Sequence, residues 1–278
     1  MTSQANPLRE KLKTSSRDER GFTLLELLIT LSIFLILLFS VYMVHETNTV
    51  SYERSEMRMD IQQNARVALA TMERELRKAG YGAPKQLAGV SMISEARPKT
   101  ITFRADLRNV ISKLTNPANS GSNALVVDTI GGIATGDVIY ITDGSKAQAL
   151  TVSSVNAETL TISTTGALTG SYAIGSRVFV PRDVRFTVTG GQLLREERVP
   201  GGTWYPLPPD NILADRIAEQ NTFRYYDADN IEITTNDPVV NPDSSVRRVR
   251  ITLLASGTPL GLDLQTYTLV TDVRPRNL

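Results

Sequence analysis

Arg20-Gly21-Phe22-Thr23-Leu24-Leu25-Glu26 is the stretch whose residue types best fit a chemical event. A small residue follows a charged one directly ahead of a long apolar run, so hydrolysis after Gly21 would free the amine of Phe22 and leave the run attached. Glu26 lies inside that run, where a carboxylate costs a few kcal/mol on insertion scales and has to be paired, neutralised or used. The Phe22 α-amine would be a cation at similar depth. A neighbouring chain shifted along the axis could bring that amine to Glu26, and burying both charges is favourable only when they meet. A second cluster, Asp227-Ala228-Asp229-Asn230 with Glu232, offers oxygen ligands of the kind that hold calcium. It lacks the glycine and bidentate acid of a helix-loop-helix calcium site, and a turn between two strands, Phe223 to Tyr226 and Ile231 to Thr234, is the simpler expectation.

Other chemistry is poorly supplied. The 278 residues hold no cysteine and one histidine, His45, which excludes thiolate sites and multi-histidine metal centres. Gly131-Gly132 and Gly136 have no following Lys-Ser/Thr, so they do not make a phosphate loop. Gly201 to Pro209 carries the single Trp, Trp204, and reads as a packed hairpin connection. The sequence implies no cofactor and no enzymatic activity. Net charge is +1, yet residues 1–21 hold five Lys/Arg (Arg9, Lys11, Lys13, Arg17, Arg20) against three acids. The near-neutral remainder gives no bulk electrostatic reason to bind nucleic acid.

The elements that position these residues start with FTLLELLITLSIFLILLFSVYMV, residues 22–44. At about 1.5 Å per residue it spans a ~30 Å hydrocarbon core. The basic residues before it place residues 1–21 in the cytoplasm and the rest across the membrane. No A-x-A site follows the run, unlike a secretory signal. Beyond Val44 the pattern turns amphipathic, with Val50, Met57, Ile61, Ala65, Ala68, Met72, Leu76 and Ala79 on one stripe. Gly80, Gly82 and Pro84 supply a stop, giving a helix over 22–80.

The pattern R-G-F-T-L-L-E-L-L-I-T-L followed by an unbroken apolar helix resembles the prepilin motif of type IV pilins and of type II secretion pseudopilins. The resemblance implies that a membrane-embedded prepilin peptidase cuts between Gly21 and Phe22 and that Phe22 is N-methylated. It also implies that Glu26 guides docking of the subunit into a growing filament. DIQQNARVALATMERELRKAGYG (60–82), ILADRIAEQNTFRYYDADN (212–230) and the closing VRPRNL resemble the matching parts of PilW-type minor pilins and J-type pseudopilins. The implied partners are prepilin peptidase, other major and minor pilins contacted through the N-terminal helix, and the inner-membrane assembly platform. The implied role is a low-abundance pilin that helps initiate the pilus, single-pass in the inner membrane before assembly and in the surface filament afterwards. A J-like pseudopilin, or a tip subunit for adhesion or DNA uptake, is the alternative.

After Pro84 short alternating runs take over, among them Val138 to Ile141, Thr159 to Ile162 and Val178 to Val180. Val184, Phe186 and Val188 lead through Gly190-Gly191 to Leu193, a hairpin signal. Val249, Ile251 and Leu253 match Tyr267, Leu269 and Thr271 in style. The expected fold is α+β: a long N-terminal α-helix, transmembrane in its first half, packed on an antiparallel β-sheet head. The expected organisation is a leader over 1–21, the helix over 22–80 and the head over 81–278. The Gly-, Ser- and Thr-rich stretch 121–181 is expected as a small inserted β subdomain.

Overall fold

Thr23 opens the first helix with a reciprocal cap. The Glu26 amide donates to Thr23 Oγ1 at 3.2 Å, while the Thr23 amide and hydroxyl donate to Glu26 Oε2 at 3.1 and 3.2 Å. The computed structural model describes residues 23–84, 86–87, 90–206, 209–233, 239, 242–258 and 264–277. Helix α1 (Leu24–Leu76) follows this cap. The chain divides into two compact units, 1–53 and 54–278. In the first unit, Leu24 to Val44 are all exposed along the helix, as an apolar surface built for lipid would be.

In the second unit α1 turns one stripe inward. Ile61, Ala65, Ala68, Met72 and Leu76 are buried there, followed by Ala79, and Met57 packs beside them. Alanines at 65 and 68 let the helix approach the sheets closely, and so does Gly257, where a Cβ would lie 2.6 Å from Ile61 Cδ1. Beyond Leu76 the amides of Lys78 and Ala79 reach back three residues to Glu75 and Leu76. Gly80 then takes φ +81, the left-handed conformation in which glycine commonly ends a helix.

The strands are β1 (Ile93–Ala96), β2 (Thr100–Ala105), β3 (Ile111–Lys113), β4 (Ala124–Val126) and β5 (Val138–Thr142). They continue as β6 (Ala147–Asn156), β7 (Thr161–Thr164), β8 (Arg177–Phe179), β9 (Arg182–Thr189) and β10 (Gln192–Arg198). The last are β11 (Trp204–Tyr205), β12 (Ile212–Asp215), β13 (Phe223–Tyr226), β14 (Arg248–Gly257) and β15 (Gln265–Val273), with a short helix α2 (Pro242–Ser245) before β14.

All pairings among the described residues are antiparallel. One sheet runs β1-β2-β9-β10-β11, with β12 also on β10. The Gly190-Gly191 hairpin is present, both glycines at positive φ and Thr189 paired with Gln192. A second sheet runs β13-β14-β15, and Ile251 pairs with Thr271 and Leu253 with Leu269. The amide of Phe223 donates to the Pro98 carbonyl, and Ile217 bridges Ala255, so the two sheets are tied together. Their inner faces share one core with α1, in which Phe103 stacks on Phe186 at 6.0 Å. This is an α+β fold: a long N-terminal helix packed on an antiparallel head.

The third sheet runs β3-β8-β5-β6-β7-β4. Leu114 bridges Val127, the Thr115 amide donates to the Val126 carbonyl and the Asp128 amide to the Lys113 carbonyl, each at 2.9 Å. These bonds join the first strand to the last, so the six strands close into a barrel. A separate apolar cluster fills it, with Leu125, Ile139, Ile141, Ile162 and Val178 fully buried. The barrel enters after Ala105 and leaves before Arg182, two residues paired in the β2–β9 ladder. It begins at Ile111, ahead of position 121. The strand expected over Thr159 to Ile162 starts at Thr161 instead. Asn156 Oδ1 accepts from the Glu158 and Thr159 amides and Leu160 takes φ 49, which makes those residues a turn.

Candidate functional site

Gly21 and Phe22 lie outside the described residues. Glu26 lies within them, on the first turn of α1. Its carboxylate is satisfied by Thr23 while every large apolar neighbour from Leu24 to Leu31 is exposed. The T-x-x-E spacing is the sequence signature of this cap. The cap meets the hydrogen-bonding needs of the carboxylate, no cation among the described residues pairs with it, and an unpaired charge on an apolar surface favours a counter-charge.

Asp227, Asp229 and Asn230 form a turn. Asp227 Oδ1 accepts from the Asp229 and Ile231 amides, both at 2.9 Å, and the Asp227 amide donates to the Ile231 carbonyl. Asn230 sits at φ 62 with its Oδ1 accepting from Arg274 at 3.4 Å. The return expected as a strand from Ile231 is only an isolated bridge of Glu232 with Tyr226 among the described residues, with the Ile233 amide donating to the Tyr225 carbonyl, and Thr234 lies outside them. Among the described residues no group of three or more His, Cys, Asp or Glu could hold a metal ion. Trp204 pairs with β10 in the hairpin connection, and the Arg185 guanidinium covers its ring at 4.3 Å. Arg248 lies over the Tyr226 ring and, with Arg250, faces Asp272. The hydrogen bond from Arg250 draws the Asp272 carboxyl below its usual range.

Three ionic contacts were not anticipated from the sequence. Glu75, on the inward side of α1, accepts from Arg195 Nε at 2.9 and 3.1 Å. Its spacing from Met72 and Ala79 places it on the buried stripe, and that spacing is the signal that would have found it. Arg104 on β2 donates to both oxygens of Asp183 and to the Tyr140 hydroxyl, and Arg182 on β9 donates to Asp137 at 2.8 Å. Both arginines thus tie the first sheet to the barrel. Burial pushes the Tyr140 phenol above its ordinary value despite Arg104 beside it.

Residues 16–42 match the family described as the prokaryotic N-terminal methylation motif. The chain carries that motif. With the apolar helix and the antiparallel head, it supports membership of the type IV pilin and pseudopilin family in general. No curated protein matches the chain. Among the described residues one helix, α1, is long and apolar enough to cross a membrane, which supports a single-pass topology.

Proposed function

We propose that this chain is a minor type IV pilin of the PilW type, which enters the filament and helps to initiate it after prepilin peptidase cleaves between Gly21 and Phe22. Residues 1–21 are the leader, Phe22 is the N-methylated terminus, and the head faces the periplasm until assembly. The observation that carries the reading is Glu26: a carboxylate on an exposed apolar helix, capped by its own chain and paired with no cation among the described residues. The α-amine of Phe22 on a neighbouring pilin supplies the counter-charge. The closed barrel favours a second role for the same subunit, adhesion at the tip. A barrel inserted between two paired strands adds surface without altering the core that α1 packs on.

Glu26→Gln tests the charge separately from the cap. Glutamine serves the capping box as glutamate does, so the variant inserts and loses its leader normally. The expected result is a processed protein absent from sheared filaments. Recovery of the variant in filaments at the normal level would overturn the docking role.

A further inference from the structure

Most sheet edges in the head are short or covered. The barrel closes on itself. At the β1 edge of the first sheet the Val239 amide donates to the Ala96 carbonyl, and the far edge consists of β11 and β12, two and four residues long. On the second sheet β13 is met by the Pro98 carbonyl and the Ile233 amide. β15 differs: among the described residues no backbone group from Thr266 to Asp272 bonds to anything but β14.

This edge is nine residues long, and its register with β14 runs over nine pairs without a bulge. It holds neither Lys nor Pro, which commonly blunt an exposed edge. Burial also stops there. Inward-facing Ile251, Leu253 and Ala255 on β14 are 0–1% exposed, whereas their partners Thr271, Leu269 and Tyr267 are only half-buried. An unpaired row of amides and carbonyls beside half-covered apolar side chains is a surface to which an extended segment adds as a further strand.

The flank of α1 beside this edge is cationic. Arg58 donates to the Gln265 side-chain oxygen at 3.4 Å and Arg66 to the Tyr267 hydroxyl at 3.3 Å. Both arginines are exposed, and neither is in an ion pair among the described residues. An added strand turns alternate side chains to the same face as Tyr267 and Leu269, next to these arginines. A second β15 would not complement them, because its one acid, Asp272, is held through both oxygens by Arg250. We propose that β15 takes, as a fourth strand of the second sheet, an extended acidic segment of a partner protein. Its apolar side chain lies against Leu269 and its carboxylates against Arg58 and Arg66. The inference is independent of the pilin reading, since it uses only residues 58–272.

Three labelled peptides test it on the full-length protein in detergent. TVTETET, laid antiparallel on β15, sets Val against Leu269 and its two Glu toward the arginines. TVTKTKT reverses the charge, and TVPEPET keeps the acids but cannot form a strand. The expected result is that TVTETET binds at least about ten-fold more tightly than either of the others and slows amide exchange within residues 266–272. Arg58→Glu with Arg66→Glu should weaken TVTETET by a similar factor and strengthen TVTKTKT, with the urea midpoint unchanged because both side chains are exposed. No binding of TVTETET, equal binding of TVPEPET, unchanged exchange in β15 or indifference to the double variant would each overturn the proposal. So would self-association of the protein that Tyr267→Lys abolishes, which would make the occupant a second copy.

Discussion

Replacing Glu75 by leucine measures what the ion pair under α1 contributes. The residue is 9% exposed and its carboxylate oxygens lie 2.9 and 3.1 Å from Arg195 Nε. Removing the carboxylate leaves a guanidinium that is one quarter exposed, with the nearest remaining acid, Glu197, at 3.9 Å. Breaking one side of a buried pair costs 3–5 kcal/mol, and partial exposure puts this case at the lower end, about 3 kcal/mol. Replacing both partners, Glu75→Leu with Arg195→Met, removes the stranded charge and should recover most of that loss. Urea unfolding of the full-length protein in detergent, followed by fluorescence of the single Trp204, reads this directly, because Trp204 pairs with the same strand that carries Arg195. With a slope of about 2–3 kcal/mol per molar, the single variant should lower the midpoint by about 1–1.5 M. A neutral single variant, or a double variant as unstable as the sum of the two singles, would refute the argument.

Replacing residues 106–181 with a two-residue Asn-Gly turn should leave the β2–β9 ladder intact, because Ala105 and Arg182 already pair; the test is retained Trp204 emission and normal leader removal. Gly257→Val should destabilise by about 1–3 kcal/mol through overpacking against Ile61 and Met57, read as a lower urea midpoint. Asp143, whose carboxyl is held at about 2 chiefly by the Lys146 amide and then by Ser145, has a folded value below its unfolded one. Its contribution to the 142–146 turn is therefore present above pH ~4 and lost as pH falls toward ~2. Amide exchange at Ser145 and Lys146 should accelerate over that window in the wild type and show no such step in Asp143→Asn.

Much of the helix and the head was legible because their signals are local. The Ile61 to Ala79 stripe repeats at helical spacing among charges, and Gly190-Gly191 between alternating runs specifies a hairpin. The alternation of Val249, Ile251 and Leu253 fixed their face but not their partners. The barrel's closure was not legible, since Leu114 and Val127 meet through a single bridge far from any turn motif. Thr159 and Leu160 carry strand propensity, yet the Asn156 side chain captures the amides after it. Glu75 was hidden by its type, as a charge on a helix ordinarily faces water and only Arg195, distant in sequence, reverses that. The T-x-x-E cap at Thr23 and Glu26 was fully visible in the residues, yet a carboxylate in a membrane span reads first as a buried charge and only then as a hydrogen-bond acceptor.

The most direct measurement is intact mass and N-terminal sequencing of the membrane-extracted protein from cells with and without prepilin peptidase. The account predicts a chain that begins at N-methylated Phe22 when the peptidase is present and at Met1 when it is absent. An unprocessed chain beginning at Met1 in both would contradict it and leave an ordinary signal-anchored protein.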